Sequence, residues 1–209
     1  MKQGFVKVAS ATPRIRVADP VYNAQVICEQ AKEAAEHGAK IVVFPELCIT
    51  GYTCNDLFLQ ELLLEKAKEA LLTIAEETGQ LETLFLVGLP VDKDGRLYNV
   101  AAVLYRGRIL GMIPKKNIPM YAEFYEGRHF TPGEETVTEY RLGKQVIPFG
   151  SNLLFRCVEL PELVLGCELC EDLWVAEPPS TSHALMGATV IANLSASNET
   201  VSKDDYRTL

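Results

Sequence analysis

Three side chains, Glu46, Lys115 and Cys170, stand where strand-like runs end, and their types suit nucleophilic covalent catalysis. Cys170 closes the run Val164-Leu165-Gly166-Cys167-Glu168-Leu169-Cys170, and the acidic pair Glu171-Asp172 follows at once. A thiol there would lie beside the first free backbone N–H groups of the next element. Those groups favour a thiolate and can hold a developing oxyanion. Glu46 follows the apolar run Ile41-Val42-Val43-Phe44 and then Pro45, which forbids further ladder pairing. Burial at such a point would raise its pKa and suit it to proton transfer near neutral pH. Lys115 comes after Met112-Ile113-Pro114, and its ammonium could stabilise a tetrahedral intermediate. Taken singly, each also fits an ordinary role: a core thiol, a solvated carboxylate, a surface ammonium.

The pattern around these residues is that of an α/β protein. Phe5–Ala11 reads as a first strand. Apolar residues at helical spacing run from Val21 to His37, with Gly38 as a C-cap, and a strand follows at 41–44. A second helix is expected over Leu57–Thr78 and a third strand over Leu84–Leu89. The turn at Lys93-Asp94-Gly95-Arg96 opens strand pairs at 97–105 and 109–113. Residues 116–151 read as mostly irregular, aromatic and charged. Strands at 152–158 and 163–169 precede Cys170, a short helix spans Ser180–Met186, and a last strand spans Thr189–Leu194. Helices alternate with strands early and hairpins come in the middle, which implies mixed sheets with helices outside. Open α/β sheets gather ligands at the carboxyl ends of their strands, where all three side chains stand.

Composition narrows the class. The chain has 209 residues, enough for one domain with a sizeable core. A formal net charge of −8 and the lack of a Lys/Arg cluster argue against nucleic acid as a partner. The start Met1-Lys2-Gln3-Gly4-Phe5 leads straight into a strand-like run with no signal-like segment. No apolar stretch is long enough to span a bilayer, so no membrane is expected and the location is read as cytoplasmic. Six scattered cysteines read as free thiols. Only Cys167 and Cys170 form a C-x-x-C, and the three histidines, His37, His129 and His183, are isolated, so no metal site is expected.

Phe44-Pro45-Glu46-Leu47, Pro114-Lys115 and Gly166-Cys167-Glu168-Leu169-Cys170-Glu171-Asp172 together resemble the three catalytic motifs of the nitrilase, or carbon–nitrogen hydrolase, superfamily, in order and across essentially the whole chain. Finer features resemble the branch formed by the glutamine-hydrolysing amidase domains of glutamine-dependent NAD synthetases. They are Gly51-Tyr52 with Asp56-Leu57-Phe58, the stretch from Pro119 to Pro132, Cys170 to Trp174, and Asn193-Leu194-Ser195-Ala196-Ser197. The resemblance implies an αββα sandwich, with Cys170 as nucleophile, Glu46 as general base and acid, and Lys115 as oxyanion stabiliser. It makes Glu126 a supporting glutamate, and it sets Tyr121, Phe124, Glu171 and Ser197 along the substrate pocket. A carboxylate such as Glu171 would suit an α-ammonium. The implied substrate is L-glutamine and the implied partner an ammonia-accepting synthetase domain. No cofactor is implied here, ATP and magnesium belonging to the synthetase domain. Members of the superfamily usually associate as homo-oligomers.

The chain carries no serine–glycine–glycine loop for ATP. Residues 1–209 therefore read as one amidase domain, cut short at its C-terminus, with its last strands missing and the part after Ser197 partly disordered or continued in the native protein. Two other readings remain open at this point. One is a free-standing hydrolase of another amide, such as a carbamoyl compound or an ω-amide. The other is a non-catalytic or redox module built on Cys167 and Cys170. Strand alternation favours Cys167 as a packed residue on the face opposite Glu168, with Cys170 belonging to the turn.

Overall fold

The computed structural model describes residues 4–208; residues 1–3, where the sequence reading placed the start of the chain, and Leu209 lie outside them. The strands form two sheets. The larger is built from β1 (Val8–Ser10), β2 (Ile41–Val43), β3 (Leu84–Lys93), β4 (Arg96–Tyr105), β5 (Arg108–Pro114), β6 (Thr138–Leu142) and β7 (Gln145–Phe149), in the order β1-β2-β3-β4-β5-β7-β6. Its first three strands are parallel, and β3, β4 and β5 form an antiparallel meander. The smaller contains β8 (Leu154–Arg156), β9 (Val164–Leu169) and β10 (Val190–Leu194), ordered β10-β9-β8. Here β9 and β10 run parallel, so their carboxyl ends emerge side by side.

Side-chain alternation along the central strands separates two cores. Phe85, Val87 and Leu89 of β3 and Val100, Ala102 and Leu104 of β4 pack with Ala24, Ile27 and Ala31 of α1 (Pro20–Glu36) and Ala67, Leu71 and Ile74 of α2 (Glu61–Glu77). Their neighbours Leu86, Ala101 and Val103 point the other way and meet Leu165, Cys167, Leu169, Ala192 and Leu194 of the small sheet. On the outer face of that sheet, α3 (Pro179–Leu185) sets His183 directly over Gly166, where a Cβ would lie 2.9 Å from Nδ1. The layers are therefore helix, sheet, sheet, helix, the expected αββα sandwich.

Several local expectations need correction. β1 is confined to Val8–Ser10, because its partner β2 offers only three paired residues and Phe5 is exposed. The helix expected over Leu57–Thr78 is two elements: a 3₁₀ segment at Tyr52–Leu59, with Asn55 at φ 51°, and α2, which starts only after Gln60 adopts an extended conformation. The stretch 116–151 contains the β6–β7 hairpin, turned at Gly143 (φ 58°). Its strands bury Tyr140, Leu142, Ile147 and Phe149, whose intervening neighbours Glu139, Arg141, exposed Val146 and Pro148 break the apolar–polar alternation that would signal a strand. The strand expected at 152–158 is reduced to Leu154–Arg156, since only those residues pair with β9. Beyond Ser197, where the sequence showed only polar chain, residues Lys203–Thr208 form a short helix, α4.

Candidate active site

Glu46 is delivered by a backbone that leaves β2 and folds tightly over β3. Phe44 still donates its N–H to Leu86 O at 2.9 Å; Pro45 then ends the ladder, and Leu47 turns through φ 53°. Gly88 makes the close crossing possible. A Cβ there would lie 2.3 Å from Leu47 N and 2.7 Å from Pro45 O, closer than real Cβ atoms approach backbone. Lys115 is delivered by β5, whose pairing continues one residue past Pro114: its N–H donates to Asn99 O at 2.8 Å, and its carbonyl accepts Gly133 N–H at 2.7 Å.

The two side chains meet in the interior, with both side chains wholly excluded from solvent. Lys115 Nζ donates to Glu46 Oε1 at 2.6 Å and to Glu126 Oε1 and Oε2 at 2.7 and 2.9 Å. Asn99 Nδ2 also donates to Glu46 Oε1, at 2.7 Å. Glu46 Oε2 accepts the Ala196 N–H at 3.2 Å. One oxygen of Glu46 is thus doubly anchored and the other keeps a lone pair for a proton. Burial, reinforced by the charge of Glu126, pushes Glu46 above the usual carboxylate range against the pull of Lys115. For Lys115, burial opposes the charge, but Glu46, Glu126 and Cys170 outweigh it and keep the ammonium firmly protonated.

Cys170 stands at the end of β9 with φ 43°, a left-handed conformation that a non-glycine residue rarely adopts. It opens a 3₁₀ turn, Cys170–Trp174. The thiol is pushed up to about 11, by burial first and by the charge of Glu46 next. The Lys115 charge and hydrogen bonds to Ser195 and the Ala196 backbone oppose that rise without reversing it. The sequence expectation of a thiolate favoured by helix-start N–H groups is corrected here: the turn is five residues long, and burial beside a carboxylate dominates. Glu46 is the carboxylate whose charge acts on this thiol.

Glu126 and Ala196 connect this cluster to a cleft of about 370 Å³, whose lining also includes Tyr52, Asn55, Phe58, Phe124 and Ser197. Of the four substrate-pocket candidates, Phe124 and Ser197 line the cleft. Tyr121 and Glu171 stand beside it: the Tyr121 hydroxyl donates to Glu171 Oε2 at 2.8 Å, and its ring meets Phe124 edge-on at 5.8 Å. Tyr52 donates its hydroxyl to Glu126 Oε1 at 2.7 Å. The turns that carry Tyr52 and Glu126 are pinned together by Asp56, which accepts from Arg128 Nε and Nη2 at 2.8 and 2.9 Å and bonds His129 Nε2 at 3.0 Å. The Arg128 and His129 hydrogen bonds hold the Asp56 carboxyl well below its ordinary range. Asn99, Ser195 and Ala196 did not emerge as site residues from the sequence. Asn99 had a signal, a lone amide inside the apolar run Leu97–Val103; the two residues after β10 had none beyond their place in a motif.

All six cysteines are free, and Cys167 is sealed in the inter-sheet core with its thiol pushed well up by burial. Among the described residues no group of three or more His, Cys, Asp or Glu is arranged to hold a metal ion, and no helix is long and apolar enough to cross a membrane.

A sandwich of two sheets with a buried glutamate–lysine pair facing a strand-end cysteine defines a cysteine-dependent hydrolase of the nitrilase type. The profile of the carbon–nitrogen hydrolase family matches residues 7–207, and the chain belongs to that family. Among curated relatives, the glutamine-dependent NAD(+) synthetase of Mycobacterium tuberculosis is 41% identical over 208 residues, covering 100% of this chain and 31% of its own length. That of Thermotoga maritima is 34% identical over 208 residues, covering 99% of this chain and 32% of its own. The chain thus spans about a third of the length of the curated relatives it matches. Among solved structures, a glutamine-dependent NAD(+) synthetase from Cytophaga hutchinsonii superposes with a TM-score of 0.86 at 29% identity, over 97% of this chain and 32% of that one. An amidase from Nesterenkonia sp. AN1, at 19% identity, shares the fold with a TM-score of 0.74 over 95% of this chain and 68% of its own.

Proposed function

We propose that this chain is the glutaminase domain of a glutamine-dependent NAD synthetase, hydrolysing L-glutamine at Cys170 and passing the ammonia to a synthetase domain that amidates deamido-NAD. The observation that carries the chemistry is the buried Lys115–Glu46 pair, with Ala196 N–H bonding Glu46 Oε2 and the charges of both side chains acting on the Cys170 thiol. The likeness to the synthetases supports the choice of glutamine.

In this reading, Glu46 Oε2 takes the thiol proton as the Cys170 sulfur adds to the side-chain amide carbon. The carbonyl electron pair moves onto oxygen, where Lys115 and the backbone N–H following Cys170 hold the charge. The C–N bond then breaks as Glu46 returns the proton to nitrogen, releasing ammonia and leaving a glutamyl thioester. Water gives a proton to Glu46, adds to the thioester and expels the sulfur, which is reprotonated as glutamate leaves. Phe124 and Ser197 form the pocket wall, the Tyr121–Glu171 pair receives the α-ammonium, and Glu126 orients the lysine. Residues 1–209 act as a single amidase domain. ATP and magnesium belong to the synthetase domain, the chemistry proposed here calls for no cofactor, and the protein works in the cytoplasm as a homo-oligomer.

The test is ammonia release from L-glutamine by the purified chain. Cys170→Ala should abolish it, and Glu46→Gln and Lys115→Met should each lower kcat by roughly 10²–10⁴-fold. Turnover of carbamoyl or simple ω-amides in preference to glutamine would overturn the substrate, and near-wild-type rates in the Glu46 or Lys115 variant would overturn the roles.

A further inference from the structure

Asp172 lies two residues past Cys170 and is only 1% exposed. Its carboxylate joins two strand ends that belong to different sheets. Oδ1 accepts the Asn117 backbone N–H at 2.7 Å and Asn117 Nδ2 at 2.9 Å. Oδ2 accepts the Leu169 N–H at 3.1 Å and the Lys116 N–H at 3.4 Å. Leu169 immediately precedes Cys170, and Lys116 immediately follows Lys115. One carboxylate therefore grips the chain next to the cysteine and next to the lysine at the same time.

Two further facts give this grip a purpose. Cys170 holds φ 43°, a conformation that is unfavourable for an L-residue and persists only where the surroundings impose it. The Leu169 N–H bond reaches back across that turn, as an acidic residue at the third helical position does. In addition, a carboxylate buried to this extent is costly unless its hydrogen bonds are made, and four N–H groups make them here. A turn that served only to redirect the chain would not require a buried charge bonded to a segment of the other sheet.

We propose that Asp172 is a positioning residue that sets the separation of the Cys170 sulfur and the Lys115 ammonium by clamping the ends of β9 and β5 together. This rests on the roles proposed above for those two side chains. Asp172 acts through them and does not itself meet substrate.

The test is Asp172→Asn in the full chain, which keeps the shape but turns an amide NH₂ against N–H donors. Because misplacement of about 1 Å can cost roughly 10²-fold, kcat for glutamine should fall about 10–100-fold while KM stays within about threefold. Alkylation of Cys170 by iodoacetamide should slow by about tenfold or more in the same variant. Asn117→Ala removes one donor from the other side and leaves no buried charge without partners; it should lower both rates by about 2–5-fold, in line with one lost hydrogen bond. The double variant should be no worse than Asp172→Asn alone, since both cut the same link. Unchanged kcat and alkylation in Asp172→Asn, or a raised KM with kcat intact, would overturn the proposal. If Asp172→Asn does not fold, wild-type rates in Asn117→Ala would overturn it instead. A wild-type chain that releases no ammonia from glutamine refutes the substrate assignment alone, because the alkylation rates still decide the role of Asp172.

Discussion

The charge states of Glu46 and Cys170 decide how the proposed reaction depends on pH. Glu46 must be ionised to accept the thiol proton, and burial raises it above its ordinary value of 4.5. In a pH–rate profile, kcat/KM should therefore fall with decreasing pH along a limb lying above that value; a limb at or below 4.5 would show that another group is the base. The sign for stability is the opposite. The folded chain keeps a proton on Glu46 where the unfolded chain has released it, so this contribution is present below the unfolded pKa and lost as pH rises through the folded one. The two cysteines of the C-x-x-C separate just as cleanly. Cys167 points into the inter-sheet core and Cys170 into the site. Cys167→Ser should leave the rapid labelling of a single thiol by a glutamine-like electrophile intact, whereas a redox pair would lose its chemistry equally with either cysteine.

At the scale of elements, each reactive side chain depends on how its strand ends. Gly88 in the middle of β3 is the position where this can be measured away from the side chains themselves. A methyl group there would collide with the backbone of Pro45, Glu46 and Leu47. Gly88→Ala should therefore lose about 1–3 kcal/mol in chemical denaturation and lower kcat by roughly 10²-fold as Glu46 is displaced; retention of wild-type kcat would mean that the loop can shift without moving the carboxylate. The elements misread from sequence share one physical cause. The 3₁₀ segment at Tyr52–Leu59 carries an apolar pattern close to that of the helix it precedes, but Asn55 at φ 51° and an extended Gln60 break the axis. The β6–β7 hairpin escaped notice because charged Glu139 and Arg141 in β6, and Val146 and Pro148 in β7, interrupt its buried residues with no clean apolar–polar alternation. In both cases packing against neighbours overrode a weak local pattern.

Over the whole molecule, the site exists because two sheets are packed face to face. Glu46 and Lys115 leave the large sheet; Cys170 and Ala196 leave the small one. The spacing between those groups is thus set by Leu86, Ala101, Val103 and Ile113 against Leu165, Cys167, Leu169, Ala192 and Leu194. Overpacking this layer should disturb catalysis more than an equal loss of stability elsewhere. Ala101→Leu and Ile74→Val, the latter on the buried face of α2, are expected to cost about 1–3 and 0.5–1.5 kcal/mol respectively. Only the first should lower kcat by an order of magnitude or more at a temperature where both variants are folded. Equal kcat in the two would show that the sheets adjust independently of the site.

The order of apolar runs was enough to determine a mixed-sheet α/β protein with helices outside, because burial on both faces of central strands leaves continuous apolar stretches; the two-sheet sandwich came from the family resemblance. The apolar runs that stop at Pro45, Lys115 and Cys170 likewise marked Glu46, Lys115 and Cys170, since a side chain placed at the end of a buried strand faces the cleft above the sheet or the loops that cover it. Sequence spacing did not determine that the carboxylate and ammonium would meet at 2.6 Å with no access to water, nor that Asn99 and Ala196 would complete the hydrogen bonds of Glu46. Glu46 and Ala196 are 150 residues apart, and only the packing of one sheet on the other brings them into contact. The same packing acts on the thiol: local sequence pointed to a favoured thiolate, whereas burial and the charge of Glu46 push the Cys170 thiol up.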